Sequence, residues 1–403
     1  MRKIIFHASN LTHVNKFNRL SNYLNDRGFD TCLIDDRVLD EGVSRFDKAI
    51  IKVLIRPLMV IAKVLIINEN VKEPVLASLY KSLIKVNERC LRKKYPPMEV
   101  RYIITASDRA FGWEQSLRYY CIKNNVRHVI LPVSRASTME EMSKTINYNV
   151  NKYGLLRYAD HFRGVKFQQK YKQTSIRVQN VDYYYYPYWM LSALNTLELL
   201  QVDPFVLGSS PHTTVLCGSV EHKNSLKVIG KSFGKIKLTG YLDYILHKNL
   251  NKRHILEKYF GLYRTKNDKL AIVALPPLLE HDLSTKIGHW KVILYILSNV
   301  AKIKNFNWLV SLHPKMHRNV YEKVCKRYNL KVIDENFYDL AMIADFAIVY
   351  EGSTLVDVME SLNKPSVVCG WWGFNYSRKY RWPVIFIKDR RDLTKGLNEI
   401  LSV

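Results

Sequence analysis

"FAIVYEGSTLVDVMESLNKPSVV", residues 346–368, decides the fold. Residues 346–350 are apolar almost throughout, as in a strand that is buried on both faces. Apolar residues then recur at helical spacing over 355–362, and residues 366–368 return to a strand pattern. A strand, a helix and a second strand in this order predict a β-α-β unit with two parallel strands.

The same alternation extends through both halves of the chain. In the C-terminal half, helices are expected at about 288–304 and 317–329, between the strand patterns "LAIVALPP" (270–277), "FNWLVSLHP" (306–314) and "KVID" (331–334). In the N-terminal half, the strand patterns are "KIIFHAS" (3–9), "FDTCLID" (29–35), "RYIITAS" (101–107), "HVILPVS" (128–134), "TTVLCGS" (213–219) and "KIKLTGYLD" (235–243). Two α/β domains, each with a parallel sheet, follow from this pattern.

The predicted domain limits follow the restart of the pattern. We assign residues 1–240 to an N-terminal Rossmann-like domain, 241–267 to a charged linker, and 268–388 to a C-terminal Rossmann-like domain. Residues 389–403 are expected to form a helix that crosses back to the first half. Because open parallel sheets bind ligands beyond the carboxyl ends of their strands, a site is expected in the cleft between the two halves.

The charge of the chain favours anionic partners. Its 62 Lys and Arg against 36 Asp and Glu give a formal net charge of +26 over 403 residues. A nucleic-acid-binding protein is one interpretation of that charge, but no RRM, KH or helix-turn-helix pattern is present, so no nucleic acid is expected. The six cysteines form no CxxC pair, and the N-terminus lacks a signal peptide, which favours the cytoplasm.

The segment 50–67, "IIKVLIRPLMVIAKVLII", supports two interpretations. On a helix, Lys52, Arg56 and Lys63 fall within roughly 40° of each other, and the other faces are apolar. A helix of this kind lies in a membrane interface with its cations toward acidic headgroups. The alternative is a core helix with three cations that reach solvent, kinked at Pro57.

The turn at 351–354 also supports two interpretations. Thr354 can cap the following helix, with Asp357 three residues later completing a capping box. Alternatively, Gly352 lets a ligand approach, and Ser353 and Thr354 hold a phosphate at the positive end of the helix dipole. The two roles are compatible.

"SLHPKMH", residues 311–317, follows another strand of the same half. His313 can donate a hydrogen bond to a phosphate, Pro314 fixes the backbone, and Lys315 adds a cation. His313 and Ser353 are therefore expected to converge on one anion. His313 and His317 have a metal-like spacing, but no third ligand is apparent, so neither a metal nor a cofactor is expected.

These two motifs resemble the nucleotide-binding motifs of GT-B glycosyltransferases, in particular bacterial sialyltransferases and Kdo transferases that use CMP-activated sugars. The resemblance is best over 268–370. It implies a metal-independent transferase that moves Kdo or another nonulosonic acid onto a surface glycan, as in capsule or lipopolysaccharide synthesis. The segment "GSTLVDVMESLNKPSVV" also resembles CDP-glycerol glycerophosphotransferases and UDP-GlcNAc 2-epimerases. In the epimerases a carboxylate at the Asp357 position binds ribose, so a transferase or epimerase using CDP-glycerol or a UDP-sugar is the alternative.

The N-terminal half has to supply the acceptor side of such a reaction. Asp108 follows a strand and is the expected catalytic carboxylate, with Glu114 in reserve and Arg109 binding the carboxylate of an acidic sugar. The alternative for Asp108 is the N-cap of a helix over 109–122. The expected partners are a CMP-linked donor, an anionic glycan acceptor, and anionic lipid at the inner face of the cytoplasmic membrane, contacted through residues 50–67.

Overall fold

The structure of the chain is a computed structural model. It describes residues 2–9, 11–36, 39, 55–65, 69–109, 112–132, 175–178, 181–218, 220–230, 235–239, 250–261, 269–281, 283–371 and 383–401. The chain divides into two compact units, Met1–Leu242 (unit 1) and Asp243–Val403 (unit 2).

Unit 1 is built on a parallel sheet, to which the described residues contribute six strands. These strands are β1 (Lys3–Ala8), β2 (Thr31–Asp35), β3 (Val100–Thr105), β4 (Arg127–Ile130), β7 (Thr213–Cys217) and β8 (Ile236–Leu238). Their order across the sheet is β2-β1-β3-β4-β7-β8. The chain therefore adds β2 on one side of β1 and all later strands of the sheet on the other side. A separate antiparallel hairpin, which the sequence did not predict, pairs β5 (Ser175–Val178) with β6 (Val181–Tyr184).

The helices of unit 1 bury their apolar faces on this sheet and on each other. They are α1 (Leu11–Asn25), α2 (Arg56–Leu65), α3 (Glu69–Lys94), α4 (Trp113–Lys123), α5 (Tyr188–Thr196) and α6 (Val220–Val228). The 26-residue helix α3 was not expected from the alternation of strands and helices. In the tyrosine-rich stretch 182–189, Tyr184, Tyr186 and Trp189 are buried in a core that includes side chains of α3 and α5.

Unit 2 repeats the same architecture. Its described strands are β9 (Leu270–Ala274), β10 (Asn307–Ser311), β11 (Lys331–Val332), β12 (Phe346–Tyr350), β13 (Ser366–Cys369) and β14 (Val384–Ile387), in the order β11-β10-β9-β12-β13-β14. All five pairings are parallel. The order is that of the Rossmann fold, with the first strand at the centre. The sequence predicted these strands except β14.

The helices of unit 2 cover its sheet. They are α7 (Lys252–Phe260), α8 (Lys286–Val300), α9 (Arg318–Lys326), α10 (Phe337–Ala341), α11 (Thr354–Ser361) and α12 (Leu393–Leu401). Helix α7 lies within the predicted linker, yet its Ile255 and Leu256 are buried in the core of unit 2. Leu393 and Leu397 of α12, the helix expected to cross back, are also buried in the core of unit 2.

The predicted amphipathic segment 50–67 is described only in part. Helix α2 begins at Arg56, so Pro57 lies in its first turn, where proline is tolerated. Ala62 is buried, whereas Val60 and Ile61 are 60% and 48% exposed. Lys52 lies outside the described residues, and so does the side chain of Lys63. Within the described ranges, no helix is long and apolar enough to cross a membrane.

Candidate functional site

Two loops of unit 2 follow strands that flank the same central strand. His313 follows β10 and Ser353 follows β12, and both strands pair with β9. Neighbouring strands lie about 4.8 Å apart, so the two strand ends are separated by roughly 10 Å. Because the chain continues from β9 to β10 on one side and reaches β12 on the other, this edge is the topological switch point where α/β proteins bind ligands.

The turn after β12 places Ser353 at the start of α11. The N–H of Ser353 donates to the carbonyl of Tyr350 at 3.3 Å, and Gly352 has φ +82°. A positive φ at the third residue of such a turn favours glycine. Ser353 is buried, and its hydroxyl accepts a 3.2 Å hydrogen bond from the N–H of Leu355.

The helix cap is therefore Ser353 and not Thr354, which is the first residue of α11. The predicted capping box between Thr354 and Asp357 was wrong by one position. Asp357 lies in the first turn of α11 and is buried. Its negative charge there is favourable near the positive end of the helix dipole.

The loop after β10 is a tight turn anchored in the core. The N–H of Met316 donates to the carbonyl of His313 at 2.8 Å, and Pro314 occupies the second position of the turn, which proline favours. Met316 is buried and its sulfur accepts from the N–H of His313. Pro314 and Lys315 are exposed, so the turn presents His313 and Lys315 at the surface of unit 2.

Burial determines the protonation of His313, and a hydrogen bond determines its tautomer. Burial, with smaller contributions from His281 and Lys315, lowers the pKa of His313 to about 4. The ring is therefore neutral at pH 7. Its Nδ1 accepts a 3.2 Å hydrogen bond from the N–H of Lys315, so the ring hydrogen lies on Nε2, which can donate to a ligand.

A series of hydrogen bonds that the sequence did not predict holds the segment 279–281, which packs against His313. The N–H of Leu279 donates to Nδ1 of His289 (3.3 Å), Nε2 of His289 donates to the hydroxyl of Tyr321 (2.8 Å), and that hydroxyl donates to Glu280 Oε1 (2.6 Å). This series holds the segment after β9, and the next residue, His281, packs edge-on against the His313 ring at 4.8 Å. The only sequence signal was a Glu-His pair beyond the end of a strand pattern.

A buried carboxylate at the end of β12 was also missed. Glu351 is 4% exposed, and its N–H continues the ladder to the carbonyl of Cys369 at 2.9 Å. A Cβ atom on Gly370 would lie 2.8 Å from Glu351 Oε2, so glycine at 370 leaves room for this carboxylate. A charged residue directly after an apolar strand was the available signal.

In unit 1, Asp108 follows β3 as expected, but its side chain is fully buried. Its two carboxylate oxygens accept hydrogen bonds from the N–H groups of Gly208 and Ser210, each at 2.9 Å. Burial raises the pKa of Asp108, but the Arg118 charge and these hydrogen bonds outweigh it and hold the pKa below its ordinary value. Asp108 is not an N-cap either, because α4 begins at Trp113 after Gly112.

The other two predicted residues of unit 1 lie near Asp108. Arg109 is half-buried, and its guanidinium donates to the carbonyls of Pro204 (3.5 Å) and Phe205 (3.1 Å). Glu114 is buried in the first turn of α4. Tyr185 lies within electrostatic range of Asp108, Arg109 and Glu114. Asp108 and Arg109 both form hydrogen bonds to the main chain of 204–210.

A more accessible carboxylate lies at the same edge of the unit 1 sheet. Asp36 follows β2, keeps 44% of its side chain exposed and accepts a 2.7 Å hydrogen bond from Nε2 of the buried His7 in β1. Nearby, the hydroxyl of Ser9 bonds Nδ1 of His13 at 3.0 Å. The sequence signal was a histidine inside an otherwise apolar strand pattern.

Metal ligation has no geometric support in the described part of the chain. No group of three or more His, Cys, Asp or Glu side chains there could hold a metal ion. His313 and His317 flank the turn, but His317 is exposed at the start of α9.

Comparison with known proteins identifies the type of fold. No protein-family model and no curated protein matches this chain. Among solved structures, a Listeria monocytogenes protein assigned as a UDP-N-acetylglucosamine 2-epimerase has a TM-score of 0.50 at 10% identity, covering 100% of this chain and 88% of its own. The fold is of the GT-B type. At this identity, the likeness shows the fold alone.

Other solved structures with a similar arrangement have slightly lower scores. The Methanocaldococcus jannaschii UDP-GlcNAc 2-epimerase, solved with UDP-GlcNAc and UDP, has a TM-score of 0.48 at 11% identity over 100% of this chain and 93% of its own. The glycosyltransferase SnogD from Streptomyces nogalater has a TM-score of 0.48 at 11% identity, with coverage of 100% and 91%. The GT-B assignment rests on the Listeria protein and on the two six-stranded sheets described above.

Proposed function

We propose that this GT-B protein is a glycosyltransferase that binds a sugar nucleotide on unit 2. The observation that carries the proposal is that His313 and Ser353 each follow a strand that pairs with β9. The Nε2–H of His313 and the positive end of α11 present hydrogen-bond donors where a diphosphate or phosphodiester would lie. Lys315 adds a positive charge at the same edge.

In glycosyl transfer, the bond between the anomeric carbon and the phosphate oxygen breaks as the acceptor oxygen attacks that carbon. The acceptor loses its proton to a base, and negative charge develops on the departing phosphate. His313 and Ser353 would stabilise that charge by donating hydrogen bonds. The oxygen of the Ser353 hydroxyl accepts the N–H of Leu355, so the hydroxyl hydrogen is the donor that a phosphate would receive.

The acceptor side of the reaction belongs to unit 1. Asp108 remains the proposed base, with Glu114 in reserve and Arg109 as the partner of an acidic sugar. Because the Asp108 carboxylate is fully buried against the N–H groups of Gly208 and Ser210, an acceptor can reach it only if the 208–210 segment moves. If Asp108 is purely structural, Asp36 takes its place, since Asp36 is exposed and hydrogen-bonded to His7.

For the donor, we propose a CMP-linked sugar such as Kdo or another nonulosonic acid, without a metal cofactor. The support is the His-Pro and Ser-Thr pair at 313–314 and 353–354, which resembles the motifs of CMP-sugar transferases. A UDP-sugar is the second candidate, as either a transferase donor or an epimerase substrate. It is favoured by the Listeria protein, whose assigned substrate is a UDP-sugar.

A thermal-shift panel with CMP, CDP and UDP, each with and without EDTA, tests the donor and the metal. We expect CMP to raise the melting temperature of the wild type, and neither His313→Ala nor Ser353→Ala to respond. Stabilisation by UDP alone would transfer the assignment to the second candidate. Formation of an epimer from a UDP-sugar without an added acceptor would identify an epimerase, because a transferase can then pass the sugar only to water, which releases free sugar.

A further inference from the structure

The amino-terminal edge of the unit 1 sheet carries an open groove. One concavity of about 560 Å³ adjoins a second of about 220 Å³, and the two share Asn125, Val126 and Arg127. Because they share lining residues, they are adjacent, and we call the two together the groove. It lies at the opposite end of the strands from Asp108 and Asp36, so it is separate from any site at the carboxyl edge.

Five neighbouring strands contribute to this groove at or beside their first residues. The contributing residues are Arg2, Arg101, Arg127, Thr213 and Lys235, on β1, β3, β4, β7 and β8 respectively. These strands are adjacent in the sheet. At a strand spacing of about 4.8 Å, the groove crosses roughly 19 Å. This length suits an extended chain rather than a single small ion.

The groove is lined by cations without opposing carboxylates. Its lining includes Arg2, Arg101 and Arg127, all exposed, and Lys235, which is half-buried. Within the described ranges, no Asp or Glu lines either concavity. The buried Glu88 below Asn124 already faces Lys123 at 3.5 Å. The groove therefore presents a net positive surface, which attracts anions.

Two of these arginines are held by one tyrosine. The guanidinium carbons of Arg101 and Arg127 lie 5.4 and 5.8 Å from the centre of the Tyr102 ring, and Nη1 of Arg127 donates to its hydroxyl at 3.2 Å. Such cation–π contacts restrict both side chains. Their remaining N–H donors stay available in the planar fork that binds carboxylates with two parallel hydrogen bonds.

We propose that this groove binds a linear carboxylate-bearing polysaccharide. The cations are spaced along the groove, as the repeated charges of such a chain require. Single-stranded nucleic acid is disfavoured because its bases need aromatic platforms, and no Phe, Tyr or Trp ring lines either concavity among the described residues. The choice of a sugar chain over an acidic peptide rests on the proposed function, in which a remote part of the acceptor glycan would lie here.

Binding of the full chain to fluorescently labelled polygalacturonate tests the proposal. The fully methyl-esterified polymer serves as the uncharged control, and a 20-mer of thymidylate serves as the nucleic-acid probe. We compare the wild type with R101Q/R127Q and with K326Q/R327Q, which removes the same two charges from exposed positions of unit 2. We expect the wild type to bind polygalacturonate but not its ester, and R101Q/R127Q to bind at least about tenfold more weakly. The K326Q/R327Q control should change affinity by less than about twofold.

Three results would overturn the proposal: no polygalacturonate binding by the wild type, equal losses in both double variants, or tighter binding of the oligonucleotide than of the polysaccharide. If R101Q/R127Q loses its cooperative melting transition, Arg2→Gln tests the same groove from an exposed position before β1. Arg2→Gln should then weaken binding, and unchanged binding would count against the groove. Nucleotide thermal shifts in these variants report on unit 2 separately, so failure of the groove and failure of the proposed function are distinguishable.

Discussion

The carboxylate of Asp108 accepts a 2.9 Å hydrogen bond from the main-chain N–H of Gly208, which lies 100 residues further along the chain. Its second oxygen accepts from the N–H of Ser210. Gly208 has φ +87°, and a Cβ atom there would lie 2.6 Å from a methyl group of Val215. Asp108 thus ties the end of β3 to a loop whose conformation only glycine tolerates.

We therefore expect Asp108→Asn to destabilise unit 1. An Asn side chain offers one oxygen, and its NH₂ group would face an N–H donor at the other position. Leaving a buried donor unpaired costs about 1–3 kcal/mol, which urea denaturation can measure. Asp203→Asn is a matched control, because the buried Asp203 carboxylate accepts the N–H of Phe205 through one oxygen, which Asn retains.

The same variant separates the structural from the catalytic role of Asp108. Unchanged stability together with turnover reduced by about 100-fold or more would support a catalytic base. Lower stability with turnover retained below the melting temperature would favour Asp36. Because the pKa of Asp108 is held below its ordinary value, its contribution is present above pH 3.8 and is lost as the pH falls through the folded-state pKa. Acid unfolding of Asp108→Asn should lack this component.

His313 should make stability depend on pH in the opposite sense to a salt-bridged histidine. Its pKa is about 4 in the folded protein, against an ordinary value of 6.5 that applies to the unfolded chain, so the unfolded chain binds more protons between those values. Stability should therefore fall as the pH drops from about 7 to about 4.5, and the stability of His313→Gln should fall less. Urea denaturation of both proteins at both pH values measures the contribution of His313. His13 and His289 also have lowered pKa values, but they are present in both proteins and their contributions cancel. An NMR titration midpoint for His313 near its ordinary value would contradict the assigned neutral ring.

Ser353 should contribute both to the stability of α11 and to the affinity for nucleotide. Ser353→Ala removes the cap of α11, which costs about 1 kcal/mol, and one hydrogen bond to a charged phosphate, which is worth about 1.5–3 kcal/mol. Nucleotide affinity measured by calorimetry should therefore fall by about 10- to 150-fold. Ser353→Thr retains a hydroxyl and should recover most of both losses. If Ser353→Ala lowers stability but leaves affinity intact, Ser353 is only a cap.

Tyr321→Phe should loosen the segment that supports His313. Removing the hydroxyl leaves Nε2 of His289 and Oε1 of Glu280 without their partner, at a cost of about 1–3 kcal/mol. Because His281 packs on His313, the NMR shifts of the His313 ring should change as well. Tyr328→Phe, at a half-buried tyrosine after α9, is the control and should leave those shifts unchanged.

Helix α2 offers a test of membrane contact. Val60 and Ile61 are exposed, so V60E/I61E should keep the fold but abolish sedimentation with anionic vesicles if this surface inserts into the interface. V228E/V320E changes two other exposed valines, 87% and 48% exposed, and should have no effect. A wild type that never sediments with vesicles would remove the membrane proposal.

The strands could be predicted because parallel strands buried on both faces are apolar throughout, as in β9 and β12. The same pattern located His313 and Ser353 at strand ends. It could not decide between Ser353 and Thr354 as the cap, because both residues cap helices and the choice depends on the positive φ of Gly352. Periodicity shows which face of a helix is buried but not which side chain it meets. The bonds of Tyr321 to Glu280 and of Asp108 to Gly208 were therefore out of reach.

The central position of β9 has a consequence for synthesis of the chain. Its partner β12 begins roughly 75 residues later. At a translation rate of about 5–20 residues per second, β9 emerges about 4–15 s before the strand that covers one of its edges. During that interval, a fully apolar strand with unpaired main-chain groups is open to pairing with other nascent chains. Chains stalled between β11 and β12 should therefore aggregate more than chains stalled after β12, because only the latter can cover both edges of β9.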